Sequence, residues 1–409
     1  MIRRVVVTGM GGVTAFGERW ADVAARLRAG KNAVRAMPEW QVYAGLNTQL
    51  GAPVEDFTLP PHYTRKRIRS MGRVSLMATR ATELALEQAG LLEHPVLTSG
   101  ATGIAYGSST GSTGPVSEFA TMLTEKHTNN ITGTTYVQMM PHTAAVNAGL
   151  FFGLRGRVIP TSSACTSGSQ AIGYAWEAIR HGYQTVMVAG GAEELCPSEA
   201  AVFDTLFATS QRNDQPQSTP SPFDRQRDGL VIGEGAGTLI LEELEHAEAR
   251  GATIYAEVVG FHTNCDAAHI TQPQRETMQV CIEGALRSAG LAASDIGYIS
   301  AHGTATDRGD VAESLATAAV FGAATPISSL KSYFGHTLGA CGALEAWMSI
   351  EMMREGWFAP TLNLTQPAED CGELDYIMHL PRELQTDYIQ SNNFAFGGIN
   401  TSLIFRRWR

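Results

Sequence analysis

An α/β fold made of two related halves is predicted for this chain of 409 residues. Segments with the apolar pattern of strands alternate along the chain with segments that carry apolar residues at helical spacing. Glycine accounts for 42 of the 409 residues, more than the average share of about 7%, and many of these glycines follow predicted strands. Similar segments also recur in the two parts of the chain. We expect an N-terminal half, 1–250, and a C-terminal half, 251–409, with the boundary near Arg250.

In the N-terminal half, short aliphatic runs predict strands at 4–8, 102–106, 157–160, 185–189 and 237–242. Helical spacing of apolar residues predicts helices at 22–29, 115–123, 170–179 and 244–250. The glycine-rich segment 9–12 predicts a tight turn after the first strand. The segment 210–227 is rich in Asn, Asp, Pro and Ser and predicts a long loop.

In the C-terminal half, the same patterns predict strands at 254–260, 296–301 and 400–405, and helices at 275–289, 311–320 and 342–354. Two pairs of segments are similar between the halves. The segment 5–9 resembles 299–303, and the cysteine and glycine in 165–168 resemble those at 341–342. This similarity predicts a duplicated fold whose halves meet at a shared site.

The overall composition excludes several classes of function. A net charge of −10 argues against general nucleic-acid binding. The apolar run after Arg4 ends at Val7, too short for a signal peptide or membrane span, so we expect a cytoplasmic protein. The six cysteines lack metal-site spacing, and neither a complete G-x-G-x-x-G motif nor a Gly-Lys-Ser/Thr motif is present. We therefore expect no metal and no cofactor.

Cys165 is the candidate nucleophile. It lies among small residues between the predicted strand 157–160 and the predicted helix 170–179. A helix N-terminus favours thiolate over thiol, so we expect a pKa below the ~8.5 of free cysteine. The alternative is a small apolar side chain in the core.

Two histidines, His302 and His336, also lie among small residues. His302 directly follows the predicted strand 296–301, and His336 lies in a glycine-rich turn. Lys331 lies five residues before His336, in a segment rich in glycine and serine. A lysine is seldom buried unless it is paired, and Glu345 is the candidate counter-charge. The alternatives are structural histidines and a surface lysine with a surface glutamate.

Two other segments are candidates for binding. The segment 392–400 combines two phenylalanines with two glycines, which suits a loop whose backbone approaches a ligand closely; the alternative is an ordinary glycine turn. Five positive charges fall within nine residues, at Arg65, Lys66, Arg67, Arg69 and Arg73. This cluster predicts a docking patch for an acidic partner, and the alternative is a solvated helix face.

Together these segments resemble the active-site motifs of β-ketoacyl-[acyl carrier protein] synthases, closest to the synthase II type. The motifs lie at 163–168, 301–304, 331–336 and 393–398, and framework segments at 7–11, 149–156, 188–193 and 227–229 are also similar. The resemblance covers almost the whole chain. It implies a thiolase-like fold, with two related halves in five alternating α-β-α-β-α layers, and usually a dimer.

The resemblance also implies a reaction. Cys165 would take an acyl group from a thioester, and a decarboxylative Claisen condensation with malonyl-acyl carrier protein would follow. His302 and His336 would bind the malonyl thioester carbonyl. The backbone N–H groups of Cys165 and Phe396 would form the oxyanion hole, and Phe396 would act as a gate for the acyl chain.

The remaining roles follow from the same resemblance. Lys331, paired with Glu345, would orient the histidines. Thr304 and Thr306 would bind the phosphopantetheine arm, and Phe394 belongs to the same substrate-binding set. Acyl carrier proteins of this kind are acidic, so the basic cluster has a natural partner.

Some residues depart from the family pattern. Thr110 stands where the fatty-acid enzymes usually place a branched aliphatic residue along the acyl tunnel, so Thr110 is a candidate substrate contact. The segment 135–142 lacks a common serine-proline-aromatic-aromatic run, and Tyr333 and Phe334 replace smaller residues. These changes predict an unusual acyl chain, such as a polyene or aryl-polyene intermediate.

Three related classes are alternatives. A thiolase would carry a second catalytic cysteine where this chain has Phe396, and a type III priming synthase would have asparagine in place of His336. A non-catalytic chain-length-factor subunit would lack Cys165. The chain could act as a homodimer or as the catalytic half of a heterodimer with such a subunit.

Overall fold

The computed structural model describes residues 2–409. Its strands are β1 Val5–Val13, β2 Arg35–Ala36, β3 Leu50–Ala52, β4 Thr102–Gly107, β5 Val158–Pro160, β6 Val186–Glu193, β7 Ile232–Gly233, β8 Gly235–Glu243, β9 Ala256–Cys265, β10 Tyr298–Ser300, β11 Pro326–Ser328, β12 Trp357–Phe358, β13 Asp375–Tyr376, β14 Arg382–Glu383, β15 Tyr388–Phe394 and β16 Ile399–Arg407. The α-helices are α1 Trp20–Arg28, α2 Arg65–Ile68, α3 Arg73–Gln88, α4 Gly114–Glu125, α5 Gly133–Met139, α6 Thr143–Phe152, α7 Ser167–Arg180, α8 Pro197–Asp204, α9 Leu244–Ala249, α10 Arg275–Ala289, α11 Asp307–Phe321, α12 Lys331–Phe334 and α13 Cys341–Glu355.

Eleven strands form one mixed sheet in the order β13-β11-β10-β15-β16-β9-β1-β8-β6-β4-β5. Its centre is the antiparallel pairing of β1 with β9, where Val5 lies opposite Val258. Outward from this junction the order is β1-β8-β6-β4-β5 on one side and β9-β16-β15-β10-β11 on the other. In each set the first strand in sequence is followed by the fifth, fourth, second and third. One strand order is therefore repeated along the chain.

Helices α7 and α13 occupy equivalent places in the two repeats. Each connects the third strand of its repeat to the fourth, and both are largely buried. They pack against each other, and a Cβ at Gly168 on α7 would lie only 2.9 Å from the backbone nitrogen of Ala343 on α13. The absence of a side chain at Gly168 therefore brings the starts of the two helices together, one from each half of the chain.

The sequence showed two pairs of similar segments, and only one pair occupies equivalent positions in the two repeats. The segments 165–168 and 341–342 precede the equivalent helices α7 and α13. The pairing of 5–9 with 299–303 is wrong, because β1 is equivalent to β9 and β10 is equivalent to β4. A glycine after an aliphatic run occurs at several strand ends and does not identify one of them.

The glycines at 9–12 lie inside a strand, and the predicted turn is wrong. Strand β1 continues to Val13 and stays paired with β8. A Cβ at Gly9 would lie 2.2 Å from the carbonyl oxygen of Ala85 on α3, and a Cβ at Gly12 would lie 2.3 Å from the Trp347 ring on α13. Helices press on both faces of β1, so these positions need glycine for close approach rather than for a turn.

The other predicted strands and helices are present, with ends that shift by several residues, and α10 has the predicted bounds. The segment 392–400 is only partly a loop, because Asn392, Asn393 and Phe394 belong to β15. Sequence patterns did not predict several helices, among them α3, α6 and α8. Helices α6 and α8 are rich in alanine and have weak apolar contrast, whereas α3 has a clear apolar face that the sequence reasoning overlooked. Within residues 2–409, no helix is both long and apolar enough to cross a membrane.

Candidate active site

Cys165 lies in a short 3-10 turn, Ala164–Thr166, that leads directly into α7. Ala164 has a φ of 51°, a left-handed conformation that is uncommon outside glycine and is often found at functional turns. The turn places the Cys165 side chain at the start of α7, as predicted, with only 5% of the residue exposed. The thiol therefore faces the interior of the protein.

His302 and His336 surround this thiol. The Nε2 atom of His336 lies 3.0 Å from Cys165 Sγ. A ligating atom of each of the three side chains lies within 4.8 Å of those of the other two. The two imidazole rings meet edge to face, with 5.1 Å between centroids. The first repeat thus supplies the sulfur and the second supplies both histidines.

Hydrogen bonds fix the tautomer of each histidine. The backbone N–H of Leu338 donates to Nδ1 of His336 over 3.3 Å, and the Asn393 amide donates to Nδ1 of His302 over 3.4 Å. Each Nδ1 therefore accepts, and each neutral ring carries its proton on Nε2. Burial and the charge of Lys331 hold the pKa of both histidines well below the ordinary value of 6.5. The site contains two neutral N–H donors.

Lys331 is buried in an ion pair with Glu345. Its Nζ lies 2.5 Å from Glu345 Oε1, and the other carboxylate oxygen accepts a 2.7 Å hydrogen bond from the Asn393 amide. Burial acts to lower the pKa of Lys331, but Cys341 and Glu345 outweigh it and the pKa is raised. A charged lysine is thus connected to His302 through Glu345 and Asn393.

Two carboxylates that the sequence reasoning missed hold the loop after β10. Glu313 accepts hydrogen bonds of 2.7 Å from the backbone N–H groups of both His302 and Gly303. Asp310 accepts one of 2.9 Å from the N–H of Thr304. Both acids lie on α11, three residues apart on the helix that follows the histidine motif. That spacing was the available signal, because residues three apart share a helix face.

The expected low pKa of Cys165 is wrong. Burial raises the pKa of the Cys165 thiol to about 12. The charge of Lys331 and the backbone N–H of Phe396 act in the opposite direction, but they do not compensate for the loss of water around the sulfur. Apolar side chains such as Leu338 and Phe203 enclose the thiol. The resting sulfur is therefore protonated.

A cavity of about 510 Å³ leads from this centre to the surface. Phe207, on its rim, is 85% exposed. The rings of Phe203 and Phe396 lie 4.9 Å apart. Among the predicted site residues, those that line the cavity are Cys165, His302, Thr304, Thr306, His336, Phe394 and Phe396.

Thr110 lies outside the lining of this cavity and contacts two buried acids. Its hydroxyl donates to Glu199 Oε1 over 2.6 Å and lies 3.1 Å from Glu193 Oε1. Tyr333 and Phe334 also lie outside the cavity lining. Both are buried in the core, so their size does not shape the wall of this cavity. Glu199, the acid that contacts Thr110, was not singled out by any sequence pattern.

The basic cluster is divided in the structure. Arg73 is half-buried, and its guanidinium donates two hydrogen bonds of 2.9 and 2.7 Å to Glu234. We therefore correct the docking assignment for Arg73, whose charge is neutralised within the chain. The remaining basic side chains are exposed on or beside α2: Arg65, Lys66, Arg67 and Arg69.

The low pKa of His302 predicts a pH-dependent contribution to stability. The folded protein keeps His302 neutral, whereas the unfolded chain binds a proton below its ordinary pKa of about 6.5. The unfolded state then binds more protons, so stability falls as pH drops. Between about pH 7.5 and 5.5 we expect the wild type to lose about 1.4 kcal/mol of unfolding free energy relative to His302→Gln.

Urea unfolding at the two pH values measures this difference. His181→Gln, which replaces an exposed histidine at the end of α7, is the control and should follow the wild type. Parallel pH dependence of the wild type and His302→Gln would contradict the prediction.

Comparison with known proteins gives one family for both parts of the chain. Residues 2–247 match the family "Beta-ketoacyl synthase, N-terminal domain", and residues 255–365 match "Beta-ketoacyl synthase, C-terminal domain". The chain is 38% identical over 413 residues to the 3-oxoacyl-[acyl-carrier-protein] synthase 2 of Vibrio cholerae, with 99% of each chain covered.

Two solved structures are similar over their full length, with 100% of each chain covered. A β-ketoacyl synthase from Burkholderia phymatum STM815 shares 60% of its sequence, with a TM-score of 0.99. The ishigamide ketosynthase/chain length factor shares 30%, with a TM-score of 0.91. The similarity therefore extends over both repeats and over the cavity between them.

Proposed function

The chain belongs to the β-ketoacyl synthase family, and we propose that Cys165 carries the acyl group in its reaction. The enzyme is an acyltransferase of the 3-oxoacyl-[acyl carrier protein] synthase type, similar to synthase II, and its condensation elongates a chain in fatty acid or polyketide biosynthesis. The observation that carries the proposal is the 3.0 Å distance between Cys165 Sγ and His336 Nε2.

In the first half-reaction, Cys165 Sγ attacks the carbonyl carbon of an acyl thioester on the carrier protein. The bond to the phosphopantetheine sulfur breaks, and that sulfur takes up the proton that Cys165 loses. The backbone N–H groups of Cys165 and Phe396 stabilise the oxyanion. Because the resting thiol is protonated, the Nε2–H of His336 supports negative charge on the sulfur as it develops.

In the second half-reaction, malonyl-acyl carrier protein binds and loses carbon dioxide. The released electron pair forms an enolate, whose oxygen accepts hydrogen bonds from the Nε2–H groups of His302 and His336. The enolate carbon attacks the acyl carbonyl, the bond to Cys165 Sγ breaks, and the sulfur takes up a proton from solvent. Losing one fixed donor of this kind typically costs about 3–4 kcal/mol of transition-state stabilisation.

Lys331 and Glu345 are positioning residues in this proposal, since they act through the histidines. The chain of contacts from Lys331 through Glu345 and Asn393 to His302 supports this role. It holds His302 in the tautomer that donates from Nε2. The charge of Lys331 also keeps the histidines neutral near pH 7 by lowering their pKa.

The substrate arm and the carrier protein are assigned to different surfaces. Thr304 and Thr306 bind the phosphopantetheine arm beside Phe394. This role is supported by the position of all three side chains on the cavity wall. Phe396 is the gate for the acyl chain, and its contact with Phe203 supports this role. The acidic carrier protein docks on the exposed basic residues Arg65, Lys66, Arg67 and Arg69.

The larger architecture belongs to the same proposal. The repeated strand order supports a division into halves 1–250 and 251–409. The burial of α7 and α13 between strands supports an arrangement in five alternating layers of helices and strands. Strand β5 is an open edge of the large sheet, and Val158 on it is 48% exposed. A second copy of the chain that pairs along this edge would give a homodimer. We place the working enzyme in the cytoplasm.

Although Thr110 does not line the open cavity, its family position along the acyl tunnel and the buried acids beside it support an unusual acyl chain, of polyene or aryl-polyene type. We expect faster acylation of Cys165 by conjugated acyl-carrier protein thioesters than by saturated ones of equal length. Turnover with matched pairs of thioesters measures this preference, and a clear preference for long saturated chains would contradict it. The likeness to a ketosynthase/chain length factor favours one alternative, in which this chain is the catalytic subunit of a heterodimer.

A further inference from the structure

A buried carboxyl group beside Thr110 has an unused hydrogen-bonding atom. Glu199, on α8, is only 4% exposed. Its Oε1 accepts the 2.6 Å hydrogen bond from the Thr110 hydroxyl, whereas its Oε2 is buried with no hydrogen-bond partner. Buried polar atoms are almost always paired, so an unpaired one requires an explanation.

The neighbouring carboxylate, Glu193, differs from Glu199 because both of its oxygens are paired. It accepts hydrogen bonds from the Ser108 hydroxyl at 2.7 Å, the Ser109 N–H at 2.7 Å and the Gly339 N–H at 3.1 Å. Burial raises the pKa of Glu193, and these donors act against burial by stabilising the carboxylate. Burial, followed by the charge of Glu193, raises the pKa of Glu199 well above its ordinary value. The raised pKa favours the neutral acid, and because Oε1 accepts from Thr110, the proton of that acid belongs on the unpaired Oε2.

Helix α8 connects this acid to the reactive centre. One residue after Glu199, the Ala200 side chain packs in the same apolar cluster as Cys165. One turn along, Phe203 lies in that cluster, and its ring lies 4.9 Å from the tilted ring of Phe396. Glu199 therefore shares its helix with side chains of the apolar cluster that contains Cys165.

We propose that Glu199 is a specificity-determining residue, whose free O–H donates a hydrogen bond to an oxygen atom on the acyl chain, a hydroxyl or a ketone. The inference rests on the proposed function, in which Cys165 holds the acyl chain and Phe396 is its gate. By the resemblance to the synthase family, Thr110 stands along the acyl tunnel. A chain without such an oxygen, saturated or conjugated, would leave Glu199 Oε2 unpaired, so the inference requires an oxygen substituent on the proposed acyl chain. A site built to form a hydrogen bond discriminates against substrates that lack the partner.

A competition experiment tests the inference on the full-length enzyme. Two acyl-carrier protein thioesters of equal chain length are mixed at equal concentration, one saturated and one bearing a single hydroxyl, and the hydroxyl is moved along the chain in a series. Intact-mass spectrometry gives the ratio of the two acyl adducts on Cys165. For the wild type we expect a preference of about tenfold for the hydroxylated chain at one position in the series.

Three variants separate this role from a structural one. Glu199→Leu should bring the ratio close to one, and Glu199→Gln, which keeps an N–H donor, should retain part of the preference. Glu194→Gln is the matched control: Glu194 is also buried and is paired with Thr113, so this variant should keep the wild-type ratio. Because both adducts form in one sample, the ratio does not depend on how much of a variant folds.

Two results would overturn the inference: no preference at any hydroxyl position, or the same preference in Glu199→Leu as in the wild type. The absence of any acyl mass on Cys165, with every thioester, would instead refute the proposed function and this inference with it. Acylation without a hydroxyl preference leaves the proposed function standing.

Discussion

Replacing Cys165 with alanine should abolish the acyl-enzyme and lower the rate of condensation by about 10⁴-fold or more, because no other group on the described chain is placed to hold the acyl chain. Incubation with an acyl-carrier protein thioester, followed by intact-mass spectrometry, measures the adduct. The rate of β-ketoacyl product formation with malonyl-acyl carrier protein measures the condensation.

Cys341→Ala is the matched control for this experiment. Cys341 is also buried, and its thiol donates to the Cys165 carbonyl oxygen over 3.3 Å. It is therefore the thiol most easily confused with the nucleophile, and we expect Cys341→Ala to keep the acyl adduct. An adduct that persists in Cys165→Ala and disappears in Cys341→Ala would show that the wrong sulfur has been assigned.

The second large effect is expected at the buried ion pair. Replacing Lys331 with methionine leaves the Glu345 carboxylate without its counter-charge in the interior, and breaking a buried pair in this way typically costs about 3–5 kcal/mol. Urea unfolding should therefore show a large loss of unfolding free energy for Lys331→Met. Arg19→Met, which breaks an exposed pair with Asp22, should change stability little.

A double variant and a pH profile separate the two roles of Lys331. Lys331→Met combined with Glu345→Gln removes the stranded charge and should recover part of the lost stability. Loss of the Lys331 charge should also raise the pKa of His302 and His336, so the acid limb of the kcat/KM profile should move to higher pH. An unchanged acid limb would mean that Lys331 has only a structural role.

Local patterns singled out Cys165, His302 and His336 as candidates, each in a short motif of small residues, and the resemblance to the synthase family supplied their expected roles. Their distances could not be predicted in the same way. They depend on how closely α7 approaches α13, which the missing side chain at Gly168 allows. Local motifs therefore identified the candidate reacting groups, and packing between the repeats sets their geometry.

The wrong predictions have a common physical cause. Glycines at 9–12 suggest a turn when only their neighbours in sequence are considered, but the helices that require them are distant along the chain. A helix start favours a thiolate at Cys165, but burial by the complete fold outweighs it. The partners of Glu199 likewise come from distant segments, so no pattern around it could reveal its unpaired oxygen.

The division of the reactive groups between the two repeats has a consequence for how this protein is measured. Neither repeat holds both the sulfur and its histidines, so a molecule with one repeat folded and the other unfolded makes no product. Spectroscopic signals of secondary structure would still count such a molecule as half native. Turnover is therefore the stricter assay of assembly, since it counts only chains in which both repeats are folded and β1 is paired with β9.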